Sequence, residues 1–174
     1  LREWLGQRKG LDVLFALALL VGGGVAWFQF HGFMDGYEKG ILIAAVPALI
    51  LLGWFWRPLQ LLMGVCAGLA LWAISLYQGN LLRAEQVFML KYFLSSQSAI
   101  LWMCVCFGLA CLFYWISLLS KSQSQSMGEI ASRLTWVAVG FALTGSLVRW
   151  FESYLIGSDV GHIPVSNLYE VFVL

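Results

Sequence analysis

Charged residues are scarce in this sequence, and their scarcity excludes an ordinary soluble protein. Lys, Arg, Asp and Glu make up 11% of the 174 residues, whereas a soluble domain carries about 25%. Hydrophobic residues reach 61%, and the mean hydropathy is +0.83. A soluble fold of this length cannot bury so much apolar sequence. The composition therefore predicts an integral membrane protein, with the lipid bilayer as its first partner.

The sequence also lacks the patterns of several other functional classes. Its net charge is only +1, without the basic excess that marks a nucleic-acid-binding protein. It contains no Gly-rich phosphate loop, no metal-spaced His/Cys cluster and no catalytic triad. The four cysteines all lie inside apolar runs, where they are predicted to act as small hydrophobic side chains. We therefore predict no catalytic residue, no metal site and no nucleic-acid partner.

Apolar runs predict an all-α fold, a polytopic transmembrane helical bundle with five spans and the start of a sixth. Each run is close to the length that crosses the hydrocarbon core. The predicted spans are 11–30, 40–56, 59–77, 98–119 and 134–155, with the sixth starting near 167. Residues 1–174 then form one transmembrane domain.

Three predictions concern the segments around these spans. Residues 78–97 are either a helix lying on the membrane surface or a loop packed on the bundle. Residues 121–126 are predicted to be a solvated linker. A packing seam on the third span is predicted from residues that share one helix face. Its residues are Gly64, Gly68, Trp72 and Ser75.

The distribution of basic residues predicts the orientation in the membrane. The side that contains the N-terminus holds six basic and three acidic residues, a net charge of +3. The other side holds four basic and six acidic residues, a net charge of −2. Because basic loops remain in the cytoplasm, the N-terminus is predicted to be cytoplasmic. His31 and His162 then lie on the periplasmic side.

The stretch GHIPVSNLYE (161–170) combines the features of a stiff turn and a new helix. Pro164 stiffens the turn, and Ser166 or Asn167 can cap the helix that follows. Glu170 lies three residues after Asn167, where a capping box places its carboxylate. The turn is therefore predicted to lead directly into the sixth span.

This stretch resembles the signature near the start of the core of CcsA/ResC-type cytochrome c biogenesis proteins, the haem-handling subunits of the system II cytochrome c synthetase. The resemblance runs from about residue 11 to the end, and its last segment is the most specific. The segments that carry it are MDGYEKGIL (34–42), LGWFWRPL (52–59), LYQGN (76–80), LKYFLSSQSAILWM (90–103) and VRWFESYLIGSDVGHIPVSNLYEVFVL (148–174).

The resemblance implies a function in cytochrome c biogenesis at a bacterial inner membrane. Proteins of this family receive haem and present it on the periplasmic side for covalent attachment to the CxxCH cysteines of apocytochrome c. Haem would be the cofactor, and a CcsB/ResB-type subunit and apocytochrome c would be partners. The family's tryptophan-rich haem motif and its flanking histidines are expected downstream of residue 174. This chain is therefore predicted to be an N-terminal fragment that is inactive alone.

The candidate site residues lie near the periplasmic end of the fifth span and in the turn that follows. Arg149 and Glu152 share a helix face. They are predicted to form either an ion pair that fixes helix packing or part of a polar chamber facing the haem site. His162 is either a hydrogen-bonding turn residue or part of a haem site. The predicted outer-face cluster comprises Arg149, Glu152, Pro164, Asn167, Tyr169 and Glu170.

Two rival functions remain compatible with the residues alone. A fragment of a membrane transporter would show charged lining at mid-membrane, whereas the charges here cluster at the outer end. A purely structural membrane subunit would bind no ligand. A tryptophan-rich motif in the helices after Leu174 distinguishes the haem function from both rivals.

Overall fold

The structure, a computed structural model, describes residues 10–32, 36–119 and 124–157 of the chain. All regular elements in these ranges are helices, which confirms the all-α prediction for this part of the chain. They are α1 Gly10–Phe30, α2 Gly36–Phe55, α3 Arg57–Tyr77, α4 Arg83–Gln86, a π-helix π1 Leu90–Leu94, α5 Ser96–Leu119 and α6 Ser124–Ile156.

Four of these helices are long and apolar enough to cross a membrane, namely α1, α3, α5 and α6. The apolar part of α2, Lys39–Phe55, is shorter than the roughly 20 residues that span the hydrocarbon core. The chain is thus a multi-pass membrane protein. The predicted sixth span, starting near 167, lies outside the described residues.

Helix α6 begins ten residues before the predicted start of its span, at Ser124 rather than at 134. Part of the predicted linker 121–126 is therefore helical, and that part of the prediction is wrong. Polarity marks where a helix leaves the lipid, but it does not end the helix, because backbone hydrogen bonding continues in water. With 33 residues, α6 is about 50 Å long.

The described residues up to Met63 form one compact unit, in which α1 packs on α2. Glycines allow the close approach. A Cβ atom on Gly23 would lie 2.7 Å from Val46 Cγ2, and one on Gly53 would overlap the ring of Phe15. One residue, Trp56, separates the end of α2 from the start of α3. Pro58 lies in the first turn of α3, where its missing N–H is tolerated.

The described residues from Gly64 onward form a second compact unit. Its buried cluster joins three elements: α3, π1 and α6. The cluster comprises Ala70, Ala73, Tyr77, Leu90, Leu94 and Val148. The π-helix places Leu90 and Leu94 on the same inward face, with Ser95 N donating to Leu90 O at 3.0 Å. Within the segment 78–97, residues 83–86 and 90–94 are helical, and Leu90 and Leu94 are buried in this cluster. The segment is therefore packed on the second unit, as the second interpretation predicted, but it is partly helical rather than a loop.

Small side chains fill the seam between α5 and α6, the most extensive helix contact described. Along α6, the buried positions recur every seven residues at Ala131, Ala138, Gly145 and Glu152. A Cβ atom on Gly145 would lie 3.1 Å from Ala99 Cβ on α5. This spacing brings the two backbones close together, as small residues do between membrane helices.

The packing seam predicted on α3 is wrong. Gly64 and Gly68 are exposed, and a Cβ atom on either would meet nothing within 4 Å. The buried residues of α3 are Cys66, Ala70, Ala73 and Tyr77. Both faces carry small residues at helical spacing, and the partner helices decide which face is used.

Large apolar side chains point outward along the described helices. Phe28, Phe55 and Leu119 are each more than three-quarters exposed, while much of the buried set consists of alanine and cysteine. This arrangement reverses that of a soluble protein and suits contact with lipid.

Candidate functional site

Three helix ends meet around Glu152 in the second unit. Tyr77 is the last residue of α3, Ser96 is the first residue of α5, and Glu152 lies one turn before the end of α6. Glu152 is 7% exposed, Ser96 2% and Tyr77 fully buried. The second unit therefore encloses a carboxylate at the end of a membrane span, where an unsatisfied charge is costly.

Both oxygens of Glu152 accept hydrogen bonds from neutral groups. Oε1 accepts from the Tyr77 hydroxyl and from the Ser96 backbone N–H at 3.1 Å, and Oε2 accepts from Ser96 Oγ. The N–H belongs to the first turn of α5, where the helix dipole favours a negative charge. Ser95 shapes this turn as an N-cap, because its Oγ accepts from Ser98 N at 3.4 Å.

The predicted pairing of Arg149 with Glu152 is present but long. Arg149 Nη1 lies 3.9 Å from Glu152 Oε2, beyond hydrogen-bond distance. The Arg149 side chain is 41% exposed, whereas that of Glu152 is 9% exposed. The carboxylate is therefore held chiefly by Tyr77 and Ser96, and the guanidinium contributes a weaker, partly screened attraction.

Apolar packing surrounds this cluster and fixes its donors. The ring of Tyr77 lies 6.0 Å from that of Phe151, tilted by 54°, and Val148 and Leu90 are fully buried beside it. This packing positions the Tyr77 hydroxyl towards Glu152, to which it donates. The cluster can thus lock three helices together at one membrane edge.

The structure brings together only part of the predicted outer-face cluster. Arg149 and Glu152 are adjacent, as expected. The other predicted site residues lie outside the described part of the chain. They are His162, Pro164, Asn167, Tyr169 and Glu170.

Sequence reasoning missed Tyr77 and Ser96, the two residues that satisfy Glu152. A usable signal exists: a buried carboxylate at a span's end needs donors at the same depth. Tyr77 ends one span and Ser96 begins another. Both can therefore lie level with Glu152.

A second buried carboxylate was also missed, in the first unit. Asp12 is 1% exposed, and its carboxylate accepts from Gln60 Nε2 at 2.8 Å and from Arg57 Nη2 at 3.2 Å. Trp54 Nε1 donates to the Asp12 carbonyl at 3.0 Å, and Gln60 Nε2 also contacts Gly53 O at 2.8 Å. These bonds tie the start of α1 to the junction of α2 and α3. Trp54 therefore has a specific hydrogen-bond partner at the start of α1.

The described residues include one histidine, His31, and an apolar groove. They contain no group of three or more His, Cys, Asp or Glu side chains that could hold a metal ion. His31 is exposed beside Phe28 O, with Nδ1 at 3.4 Å. A groove of about 330 Å³ is lined by Phe107, Ala110, Cys111, Tyr114, Trp115, Leu118 and Thr135. None of these side chains is a cation that could pair with the haem propionates.

Comparison with known proteins returned no relatives. No model of a protein family matches the chain. Neither the curated proteins nor the solved structures contain a match.

Proposed function

We propose that this chain forms the membrane scaffold of a haem-handling subunit in cytochrome c biogenesis. In the full protein, haem would be received and presented on the periplasmic side for attachment to apocytochrome c. Segment 148–174, which resembles the CcsA/ResC-type signature, supports this proposal. The observation that carries it furthest is the Glu152 cluster, which fixes the end of α6 four residues (157–160) before the stretch 161–170.

In this proposal the scaffold controls position rather than chemistry. Glu152 is enclosed and fully engaged, so it does not contact haem. Its role is to hold α3, α5 and α6 in register, so that the chain leaves α6 at a fixed place and angle. The haem ligands come from elsewhere: from residues beyond 174, with His162 as a contributor or a neighbour. A CcsB/ResB-type subunit and apocytochrome c would be the protein partners.

The same proposal includes a topology of five spans, with a sixth starting near 167 and a cytoplasmic N-terminus at a bacterial inner membrane. A reporter enzyme that is active only in the periplasm should be active when fused after Gly157. The same fusion made after Ser126 should be inactive. The reversed pattern would contradict the orientation.

The function is tested by disrupting the gene of the full protein in its host. Haem that is covalently bound to c-type cytochromes should disappear from haem-stained gels, while non-covalent b-type haem remains. This pattern separates attachment from haem synthesis. Normal levels of c-type cytochrome after disruption would reject the proposal and favour a transporter or a structural subunit.

Complementation with two matched variants locates the contribution of the signature stretch. His162→Ala should lower the yield of covalent cytochrome c, because it alters the stretch that resembles the family. His31→Ala is the control, since His31 is exposed on a turn. Equal yields from both variants at equal protein levels would remove His162 from the site.

A further inference from the structure

We propose that Arg149 binds the phosphate group of an anionic phospholipid at the membrane edge of the second unit. Arg149 makes only a loose contact with Glu152. That carboxylate already accepts three hydrogen bonds from Tyr77 and Ser96, so it does not need Arg149 as a donor. Its separation from Arg149 Nη1, 3.9 Å, leaves no hydrogen bond between them.

Arg149 consequently has donors to spare. A guanidinium carries five N–H groups in a planar fork, and Arg149 makes no hydrogen bond to any residue in the described part of the chain. Its side chain is 41% exposed. A partly exposed guanidinium at the end of a membrane span extends towards the headgroups, where phosphate oxygens match the fork bidentately.

The residues around Arg149 place it at headgroup depth. Trp150 and Tyr154 are adjacent along α6 and exposed, at 39% and 53%. Exposed Trp and Tyr near a helix end are typical of the membrane–water interface. Helix α6 ends at Ile156, about 10 Å beyond Arg149. An arginine at this level lies within reach of lipid phosphates.

A second cation strengthens the case for an anionic lipid. Lys91 directly follows Leu90, just as Arg149 directly follows Val148, and both Leu90 and Val148 belong to the same buried cluster. Lys91 Nζ lies 5.6 Å from the centre of the exposed Tyr92 ring. The Tyr92 backbone is in turn held by Trp102, whose Nε1 donates to its carbonyl at 2.7 Å.

The opposing charge at this edge is small. The cations described in this part of the chain are the exposed Lys91 and the partly exposed Arg83 and Arg149, against the exposed carboxylate Glu85 and the enclosed, hydrogen-bonded Glu152. Each basic residue near an anionic membrane surface strengthens binding about fivefold. The surface therefore favours phosphatidylglycerol over phosphatidylcholine, whose choline group would place a positive charge beside Arg149.

The test compares lipid binding to the purified full chain by native mass spectrometry, with phosphatidylglycerol and phosphatidylcholine of equal chain length. The wild type should bind phosphatidylglycerol more tightly. Arg149→Gln should weaken that binding about fivefold and leave phosphatidylcholine binding unchanged. Arg133→Gln is the matched control, because Arg133 is an exposed arginine near the other end of α6; it should weaken binding less than Arg149→Gln does.

Arg149→Lys is the control for loss of the fold, since it keeps a positive charge opposite Glu152. Because an ammonium group lacks the planar fork, this variant should bind phosphatidylglycerol less tightly than the wild type and more tightly than Arg149→Gln. Equal losses in Arg149→Gln and Arg133→Gln would overturn the proposal by reducing it to general surface charge. Unchanged binding in Arg149→Gln would also overturn it, because the guanidinium would then make no contribution to lipid binding.

Discussion

Removing the hydroxyl of Tyr77 tests whether neutral donors hold the buried carboxylate. Tyr77→Phe deletes one oxygen and keeps the ring that packs on Phe151. Glu152 then loses one of its three hydrogen bonds inside the bundle. A hydrogen bond to a charged group contributes about 1.5–3 kcal/mol. We expect the free energy of unfolding to fall by about 2 kcal/mol, roughly a thirtyfold change in the unfolding equilibrium.

The assay is reversible unfolding in mixed micelles with increasing SDS, followed by far-ultraviolet circular dichroism. Tyr114→Phe is the matched control, because Tyr114 is 47% exposed, and it should change stability by less than about 0.5 kcal/mol. A double-mutant cycle with Glu152→Gln supplies the sharper criterion. A neutral amide accepts weaker hydrogen bonds, so Tyr77→Phe should cost only about 1 kcal/mol in that background. An equal cost in both backgrounds would refute the account of Glu152 as a carboxylate held by these donors.

Three further predictions concern packing and the second buried carboxylate. Gly23→Leu should destabilise the chain by more than about 2 kcal/mol in the same SDS assay, whereas Gly22→Leu should be neutral, because only the first meets a neighbouring side chain. Gly145→Leu should separate α5 from α6 and lower the SDS midpoint, whereas Gly108→Leu, which meets nothing within 4 Å, should leave it unchanged. Asp12→Asn should cost about 2 kcal/mol, and a cost that is independent of salt and below 0.5 kcal/mol would contradict the role of its buried hydrogen bonds.

Helix positions could be predicted from the sequence because the membrane imposes one rule on all of them. An apolar run of about 20 residues must form a helix, since lipid offers no partner for the backbone. Predicted spans 11–30 and 59–77 therefore match α1 and α3 to within a few residues. The start of α6 was misplaced, since that rule applies only inside the lipid.

Packing faces and polar contacts were harder to predict. Small residues occur on two faces of α3, and the sequence does not record which face meets another helix. The Glu152 cluster joins residues separated by 75 and 56 positions, so no local pattern reveals it. The spacing of Arg149 and Glu152 predicted their proximity, but not that Tyr77 and Ser96 would make the closer contacts.

The length of α6 has a mechanical consequence for the hairpin it forms with α5. Ser96 lies beside Glu152, so both helices can be measured from one level. Helix α5 then extends about 35 Å to Leu119, and α6 extends about 42 Å back to Ser124. A hydrocarbon core of about 30 Å cannot cover either length. The hairpin must tilt or project from the far surface. Bilayer thickness therefore sets the tilt of α5 and α6, and with it the angle at which the Glu152 cluster is held at its own membrane surface.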